Sequence, residues 1–551
     1  MRMFARLLTA VALLASGLIS QSLDVPAAFI ATDVHESAPQ RNEYARGPYL
    51  RGPRFEVRDA NMVDLVAAAY DVKPDLVVGG PNWVEMDRFD VVAKASEKLT
   101  PAKARELLQA LLAQRFGLKA RKDTQEIEAF ALTAGKHAGL KKSGGEGEAG
   151  CKFQPMPPAA ADSGPRTPTF GYACKNMTMA AFARALKEDM PTFRYLREKT
   201  VIDQTGLDGA YDFNFHFSLM AGGADSDSVT LADAVEKQLG LKLAPGKTPT
   251  AVIVIDQVNR KPTTNAPGVV EALDDGPAPT EFEVADVKLS GPEGRNMNFD
   301  ILPGGQVDIR GLPMQFIFQQ AFNLPPFAIS GQPDWFNRDR FDIIAKAPVS
   351  ALQLGPDGKP RIDDEMLQVM LQALLRERFQ LKTHMENRVM DAFTLIAVKP
   401  KMKQADPNSR THFTEGPASM TGKDPRDTNP ALSRLVTCTN LTMAQFAKQL
   451  QRIAPGYIHS PVVDATHLEG GWDFTLSFSP AGATRGGGRG GLVAASRASA
   501  GGEGGTQASD PSGAVTLLEA IEKQIGLKLV TEKRPVSMLV IDHIEEKPIE
   551  N

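Results

Sequence analysis

The motif that decides the fold is LLQALLAQRFGLK, at Leu107–Lys119, because it returns as MLQALLRERFQLK at Met370–Lys382. Three further motif pairs follow in the same order: Asn176–Leu186 with Asn440–Leu450, Leu231–Leu243 with Leu517–Leu529, and Val252–Val258 with Met538–Ile544. Self-similarity that keeps its order indicates a tandem duplication, which fixes the architecture before any secondary structure is assigned. It does not say which reaction or ligand the chain serves.

The composition is that of a globular protein large enough for several domains. The chain has 551 residues, of which 42% are hydrophobic and 23% charged, and domains typically hold roughly 100–200 residues. The formal net charge is −4, so no overall positive field favours a nucleic acid. We therefore expect sizeable cores and no nucleic-acid partner.

The first residues have the pattern of a secretory signal peptide. Arg2 and Arg6 form a positive segment, Leu7–Ile19 is apolar, and the small residues Ser20 and Ser22 follow. The apolar run is too short to cross about 30 Å of hydrocarbon, although an uncleaved anchor is the alternative. We expect residues 1–28 to be signal peptide and short lead. The mature protein is then exported, periplasmic or extracellular, with no membrane span.

The duplication also sets the expected domain limits. The first repeat domain covers residues 29–258 and the second covers residues 282–547. Residues 259–281 between them are rich in Pro, Ala, Asp and Gly without apolar periodicity, which is typical of a linker. Residues 481–513 form a Gly-, Ser- and Arg-rich insertion in the second repeat, which we expect to be disordered.

Each repeat contains a finer repeat, because helix, strand, helix and strand follow in the same order in both halves. In the first repeat the predicted elements are Met62–Tyr70, Phe89–Ala95, Ala102–Phe116 and Ala129–Thr133, then Thr178–Leu186, Tyr211–Phe217, Leu231–Leu239 and Ala251–Asp256. The second helix of each half ends at Gly117 or Gly240, as expected for a left-handed terminal residue. Gly526 repeats this in the second copy, whereas Gln380 replaces the remaining glycine. The pattern predicts an α+β fold of two duplicated domains, each of two β-α-β-β-α-β half-units with small mixed or antiparallel sheets.

Motifs of known catalytic sites are missing from the sequence. There is no G-x-S-x-G elbow, H-E-x-x-H pair, P-loop or dinucleotide fingerprint in its structural context. His459 and His467 are the closest histidine pair, but they lack further ligands at metal-binding spacing. We therefore predict a protein that is not an enzyme, with no catalytic residues, no metal and no cofactor.

Four aspartates are the carboxylates that best resemble a site. Asp90, Asp212, Asp342 and Asp473 each follow an aromatic residue at the start of a predicted strand. A catalytic role would make them acid–base groups. Because the position returns in every half-unit, we favour a structural role, in which the carboxylate accepts hydrogen bonds from a neighbouring turn.

Two loops carry a tryptophan just before these strands. GGPNW ends at Trp83 and SGQPDW ends at Trp335. Either loop could shape a pocket or an interface rim, so both tryptophans are candidate binding residues. The alternative is that each indole fills the edge of its own core.

The three cysteines allow one disulfide. Cys174 and Cys438 occupy the same position in the two copies, and Cys151 has no counterpart. An exported chain meets an oxidising compartment, so a Cys151–Cys174 bond with Cys438 free is plausible. Three reduced thiols are the alternative.

Taken together, the motifs resemble those of an exported acidobacterial (Solibacter-type) family of unknown function. The resemblance rests on FEVADVKLS at Phe282, the two tryptophan loops, RFDVVAK at Arg88 and VIDQTGLDGAYDF at Val201. The start at Phe29 and the turn at Ala465–Leu468 depart from the family pattern. Related domains form the exported part of BlaR-type antirepressor metallopeptidases, which implies sensing. A weaker likeness, to the short N-terminal domain of secretins and TonB-dependent receptors, implies an interaction module without catalysis.

These patterns lead to one functional hypothesis and two alternatives. We expect an exported, non-enzymatic binding or protein-interaction module of the cell envelope, whose partner is an envelope protein or peptide. Small sheets with open edges could recruit that partner by strand addition. The alternatives are an exported hydrolase with a nonstandard site and a sensor domain related to antirepressor ectodomains.

Overall fold

The computed structural model describes residues 28–38, 44–135, 140–145, 147–154, 169–196, 199–218, 229–274, 279–291, 297–355, 358–417, 419, 422–429, 431–481 and 513–549. Residues 1–27 of the predicted leader lie outside the described residues. The same holds for the predicted disordered insertion, apart from its end residues 481 and 513. Within the described ranges, no helix is both long enough and apolar enough to span a membrane.

In the described part of the chain, the first repeat and the segment after it form twelve strands and six helices, besides short 3-10 turns. The strands are β1 (Ala31–Glu36), β2 (Arg46–Arg51), β3 (Arg54–Asn61), β4 (Val77–Gly79), β5 (Arg88–Lys94), β6 (Lys119–Ala134), β7 (Lys141–Lys142), β8 (Gly150–Gln154), β9 (Thr169–Met177), β10 (Val201–Asp203), β11 (Tyr211–Ser218) and β12 (Leu241–Gln257). The helices are α1 (Met62–Tyr70), α2 (Pro101–Phe116), α3 (Met179–Glu188), α4 (Phe193–Leu196), α5 (Leu231–Leu239) and α6 (Val269–Leu273).

The second repeat follows the same plan. Its strands are β13 (Val284–Leu289), β14 (Asn298–Leu302), β15 (Gln306–Pro313), β16 (Ile329–Ser330), β17 (Arg340–Lys346), β18 (Gln353–Leu354), β19 (Pro360–Arg361), β20 (Lys382–Ala397), β21 (Lys403–Gln404), β22 (His412–Glu415), β23 (Arg434–Leu441), β24 (Val462–Asp464), β25 (Trp472–Phe478) and β26 (Leu527–His543). Its helices are α7 (Met314–Phe322), α8 (Asp364–Arg378), α9 (Pro425–Thr428), α10 (Met443–Ile453) and α11 (Leu517–Ala520), which continues as the π-turn Ile521–Ile525.

The predicted fold class is confirmed. In the first repeat the half-units run β3-α1-β4-β5-α2-β6 and β9-α3-β10-β11-α5-β12. In the second they run β15-α7-β16-β17-α8-β20 and β23-α10-β24-β25-α11-β26. This is an α+β chain of four β-α-β-β-α-β half-units, each with its own apolar core.

The half-units of each repeat exchange their last strands. In the first repeat, β6 and β12 pair antiparallel along their whole length, with Lys119 opposite Gln257 at one end and Ala134 opposite Leu241 at the other. They are the two central strands of a sheet with the order β10-β6-β12-β4. Each long strand therefore runs from one core into the other: Leu132 of β6 is buried in the core of the second half, and Ile253 of β12 in that of the first. The second repeat repeats the exchange in the order β16-β26-β20-β24.

Capping residues explain where most of the helices begin. The side chains of Asn61, Thr100, Thr178, Thr230, Asp363, Thr442 and Thr516 each accept a hydrogen bond from the backbone N–H three residues ahead. Such caps satisfy donors that a helix leaves unpaired at its start. The helix ends also agree with the sequence, because Gly117, Gly240 and Gly526 have φ angles of 59°, 67° and 74°.

We predict that Gln380→Gly stabilises the second repeat by about 0.5–1 kcal/mol. Gln380 is exposed and adopts φ 50° after α8, where the other half-units have glycine. A left-handed residue with a Cβ costs about 1–2 kcal/mol, part of which is offset by the greater entropy that glycine loses on folding. Chemical denaturation of the two chains measures the difference. Glu377→Gly, in the last turn of the same helix, should instead destabilise by about 1 kcal/mol.

The segment between the repeats is more ordered than a linker. Helix α6 packs Val269 and Leu273 against Val92 of the first sheet. Arg115 of α2, which is buried, donates hydrogen bonds to the backbone carbonyl of Thr263 and to the side chain of Asn265. Part of the predicted linker 259–281 is thus attached to the first repeat.

Candidate functional site

The four aspartates share one hydrogen-bond arrangement. Each accepts the backbone N–H of a residue on the neighbouring strand, at distances of 2.8 Å for Asp90 and 2.9 Å for Asp212, Asp342 and Asp473. The donors are Asp59, Asn176, Gly311 and Asn440, with φ angles of 49°, 49°, 59° and 49°. All four donors lie where the strand register shifts, which is the geometry of a β-bulge. The carboxylates therefore hold the bulge that precedes each half-unit's first helix.

The electrostatics of Asp90, Asp212 and Asp342 suit a structural role. Burial alone would raise the pKa of Asp90, but hydrogen bonds from Asp59 N–H and Ser37 and the charge of Arg58 bring it below its ordinary value. Asp342 has the same balance, with Ser290 as donor, and the N–H of Asn176 lowers the pKa of Asp212. A general acid or base works best with a pKa near the operating pH, so these shifts run in the wrong direction for catalysis.

We predict that Asp90→Asn lowers the free energy of unfolding of the first repeat by about 1–2 kcal/mol. The amide still accepts a hydrogen bond, but the charge-assisted part of the Asp59 and Ser37 bonds is lost. Because the folded pKa is lowered, this contribution should be complete above the unfolded pKa of about 4. It should disappear as pH falls through the folded pKa. Thermal melts between neutral and acid pH measure both effects.

Asp71 provides the control for this prediction. Its side chain is 73% exposed beside Arg105, in the same half-unit as Asp90. Asp71→Asn should leave stability within about 0.5 kcal/mol of wild type. Equal melting of both variants and wild type would contradict the structural role of Asp90.

Both predicted binding residues, Trp83 and Trp335, have buried side chains. Trp83 and Trp335 are each 8% exposed and lie in the cores of the two first half-units. Their rings contact Phe89 and Phe341, at centroid distances of 6.3 Å and 6.0 Å. This burial favours the alternative that each indole fills the edge of its own core, and the binding role of the two side chains stays a prediction. The backbone of the first tryptophan loop, in contrast, makes a contact with the second repeat that is described below.

The cysteines lie in equivalent sheets of the two repeats. Cys151 of β8 and Cys174 of β9 are opposite each other and form a disulfide. In the second repeat Phe413 stands opposite Cys438, whose free thiol is buried. Burial raises the pKa of the Cys438 thiol above its ordinary value, so the thiolate that reacts or binds metal is disfavoured.

An arginine of the second repeat caps a sheet edge of the first repeat. Arg410 donates from Nε to Gly79 O at 2.5 Å and from Nη1 to Val77 O at 2.9 Å. Nη1 also lies 3.1 Å from the Glu85 carboxylate. We call Val77–Gly79 with Glu85 the first notch. Burial lowers the pKa of Arg410, opposed by the charge of Glu85, and the side chain is only 19% exposed.

The loop around Arg410 adds backbone contacts to the first notch. Thr411 N–H donates to Asn82 O at 3.0 Å, and Asn82 Nδ2 donates to Pro407 O at 3.2 Å. Asn82 belongs to the GGPNW loop, so that loop does lie at an interface, through its backbone and Asn82 rather than through Trp83.

A second contact extends a sheet of the first repeat with strands of the second repeat. Strand β18 pairs with the edge strand β2 at Leu354–Leu50, which gives the sheet order β1-β5-β3-β2-β18-β19. Arg46 of β2 also lies 2.9 Å from Glu365 at the start of α8. The other described sheets each take their strands from a single repeat. The expected separation into two repeat domains is thus bridged at this edge as well as at the first notch.

The equivalent edge of the second repeat is open. Its sheet has the order β13-β17-β15-β14, and β14 has no counterpart of β18 among the described strands. Beside β14 lies a cleft of about 120 Å³. Its apolar lining includes Phe299, Ile301 and Leu367, and its polar lining includes Tyr44, Arg46 and Asp364. Tyr44 donates its hydroxyl hydrogen to the Asp364 carboxylate, and burial together with this bond raises the pKa of Tyr44.

Neither Arg410 nor the β18–β19 hairpin was predicted as part of a site. The hairpin had a signal in the sequence, because the helix cap Thr100 lies 5 positions after Ala95, whereas the equivalent cap Asp363 lies 16 positions after Ala347. Arg410 had none, because it stands in a polar loop that resembles any exposed turn. Within the described ranges, no group of three His, Cys, Asp or Glu side chains could hold a metal ion.

Comparison with known sequences assigns a family. The family model described as "Protein of unknown function (DUF3738)" matches residues 63–258 and 315–544. The chain belongs to this family. DUF3738 is thus present twice, once in each repeat, and the predicted tandem duplication is confirmed. No curated protein and no solved structure matches the chain. The acidobacterial origin and the likeness to secretin domains stay predictions.

Proposed function

We propose that this DUF3738 protein is an exported, non-enzymatic binding module that takes an extended peptide segment onto the open edge of β14. The observation that carries the proposal is that the equivalent edge strands of the two repeats, β2 and β14, differ in whether another strand pairs with them. Strand β2 of the first repeat is already extended by β18, whereas β14 ends its sheet. An unpaired edge presents a row of N–H and C=O groups that an added strand can satisfy.

The side chains around β14 support a peptide partner. Met297 and Leu302 are 63% and 38% exposed, and Phe316 of α7 is exposed beside Phe299. Soluble proteins usually protect an apolar edge with charges, bulges or a covering element. An exposed apolar surface next to unpaired backbone is therefore typical of a binding site.

The size of the cleft favours a side chain over a small-molecule ligand. Its volume of about 120 Å³ is below the roughly 300–1,000 Å³ of typical small-molecule pockets. A strand added to β14 would place alternate side chains on the face that carries Phe299 and Ile301. We infer that one apolar side chain of the peptide enters the cleft, while Arg46 and Asp364 border it.

Export and the lack of catalysis are parts of the same proposal. Export is supported by the predicted signal segment and by the Cys151–Cys174 disulfide, which suits an oxidising compartment. The non-enzymatic assignment is supported by the four aspartates, which hold bulges. Hydrogen bonds lower the pKa values of Asp90, Asp212 and Asp342. A hydrolase would require ionisable groups poised near neutral pH in one cleft.

A peptide selection tests strand addition directly. A phage-displayed library of random seven-residue peptides is selected on the full chain, and selected peptides are measured by fluorescence anisotropy against Asp300→Pro and Ile301→Pro. Successive residues of an edge strand point their N–H groups alternately to the neighbouring strand and to the open side. Only one of the two prolines therefore removes a donor that faces the ligand.

The two proline variants act as controls for each other. The variant that loses peptide binding should melt close to wild type, and the one that loses a bond to β15 should melt earlier. Hydrogen exchange at residues 298–302 should slow when peptide is added. Peptides that bind both variants equally, or that protect another region, would contradict the proposal.

A further inference from the structure

We propose that the second repeat carries a second arginine-recognition notch, formed by Ile329–Gly331 and Asn337, which binds an arginine on a loop of a partner protein. We call it the second notch. It is separate from β14 and does not depend on strand addition there. Its template is the first notch, where Arg410 fills the equivalent position within the chain.

The backbone of the two notches is equivalent. Ile329 and Ser330 pair in parallel with Leu539 and Val540, as Val77 and Val78 pair with Ile253 and Val254. Both strands lie at the edge of their sheet. The sequence places Ile329 and Gly331 at the same distance before Trp335 as Val77 and Gly79 before Trp83. The carbonyls that accept from Arg410 in the first repeat thus have counterparts in the second.

Each notch contains a glycine with a left-handed backbone conformation at the same position. Gly79 and Gly331 have φ angles of 73° and 80°. A Cβ on either would lie 2.9 Å from Ile255 O or 2.5 Å from Ile541 O. Both glycines are therefore required by the same close approach to the neighbouring strand. The residue after each glycine differs, because Gly80 also has a positive φ of 80° whereas Gln332 does not, so the equivalence is drawn for the strand edge and its glycine.

The second notch has acceptors without a donor. Among the described residues, no side chain donates to Ile329 O or Gly331 O. The nearby cations are otherwise engaged: Arg388 donates to Ser330 Oγ at 3.2 Å, and Arg338 pairs with Asp339 and Glu546. Gln332 Nε2 donates to Gln315 Oε1 at 3.4 Å, while Gln315 Nε2 is buried without a partner. A docked segment could supply the acceptor that this amide lacks, as Pro407 O does for Asn82.

Arginine fits the notch better than lysine does. In the first notch, Nε and Nη1 reach two carbonyls of one strand edge while Nη1 also meets a carboxylate. Only the planar guanidinium presents several donors in such a fixed arrangement. In the second notch Asn337 stands where Glu85 would be, and the exposed Asp334 replaces Asn82. The oxygen-rich edge remains, with one negative charge that stands at Asp334 instead of at the Glu85 position.

The equivalent loop of the first repeat has no arginine to offer the second notch. Arg410 is already bound in the first notch of its own chain. The first repeat's counterpart of the Arg410 loop is residues 143–149, which read SGGEGEA and contain no arginine. Copies of this chain therefore cannot fill one another's second notch through the equivalent loop. A partner that presents an arginine on a loop, next to an exposed backbone carbonyl, has the required chemistry.

The test uses a labelled peptide with the sequence of residues 403–415, KQADPNSRTHFTE. Fluorescence anisotropy should show one binding site on the full wild-type chain and two on Arg410→Ala, which vacates the first notch. The peptide with lysine in place of its arginine should bind at least about tenfold more weakly, because it loses the paired donors. Asn337→Glu should tighten binding about fivefold, because it restores the carboxylate of the first notch.

Two results would overturn the proposal. The first is no binding of the peptide to the wild-type chain. The second is wild-type binding that Glu85→Gln weakens and Asn337→Glu leaves unchanged, since the peptide would then be displacing Arg410 from the first notch. Asn337 is exposed, so its substitution is not expected to affect folding.

Discussion

Replacing Gly526 with alanine is expected to destabilise the second half of the second repeat by about 2–5 kcal/mol. Gly526 ends the helical segment before β26 with φ 74°, a conformation that costs an alanine about 1–2 kcal/mol. A Cβ there would also lie 1.7 Å from Lys399 O and 2.5 Å from Lys399 C. Because Gly526 O accepts from Lys399 N–H at 2.9 Å, the two backbones cannot separate without losing this bond.

The Gly526→Ala measurement needs a control that separates the contact with Lys399 from the cost of the left-handed backbone conformation. Gly206 has φ 65°, and a Cβ added there would have no heavy atom within 4 Å, so Gly206→Ala should cost only the conformational term. Chemical denaturation gives both free energies, and hydrogen exchange locates the loss to β25 and β26. A similar loss in both variants would mean that the contact with Lys399 is unimportant.

The helices were predictable because their determinants are local. Threonine caps, apolar spacing and terminal glycines lie within a few residues of each helix, and Met62–Tyr70 and Leu231–Leu239 have the limits that the sequence predicted. The aspartates were also interpretable, because a fourfold recurrence points to the fold rather than to a catalytic site. Their partners, the left-handed bulge residues, could not be identified without the register of the strands.

The long strands were predicted too short for a physical reason. Strand β6 begins at Lys119 and β12 at Leu241, yet the sequence indicated only their apolar ends. The middle of β6 is charged and exposed, and β12 contains Pro245 and Pro249, which weaken a strand prediction. Pairing between the two strands, rather than burial of either, defines these residues as strand. The exchange of last strands between the half-units follows from that pairing. It leaves no local pattern in the sequence from which it could be predicted.

The contacts between the repeats could not be predicted from the sequence either, because they too leave no local pattern in it. Sequence comparison treats two copies as equivalent, but the structure uses them differently. The first repeat offers its β2 edge and its Val77–Gly79 edge, and the second repeat supplies β18 and Arg410 to cover them. The same edges of the second repeat are left uncovered within the described residues, and this asymmetry is what both proposals use.

Arg410→Ala is expected to weaken the association of the repeats by about 2–4 kcal/mol. The change removes three polar contacts and leaves Val77 O, Gly79 O and the Glu85 carboxylate without their donor. Removing one member of a buried charge pair costs more than the pair contributes, because the remaining group stays desolvated. The two repeats should therefore unfold in separate transitions, with little change in the stability of either core.

Small-angle scattering and calorimetry measure this effect. The radius of gyration should increase, but only partly, because Arg46 with Glu365 and β18 with β2 still join the repeats. Arg121→Ala is the control, since Arg121 is 52% exposed and binds only the carboxylates of Asp123 and Asp256 on its own sheet. That variant should scatter and melt as wild type does. If Arg410→Ala does the same, the contacts at the β2 edge and those of Asn82 with Thr411 and Pro407 are enough to hold the repeats together. The guanidinium contacts of the first notch would then be no guide to recognition by the second notch.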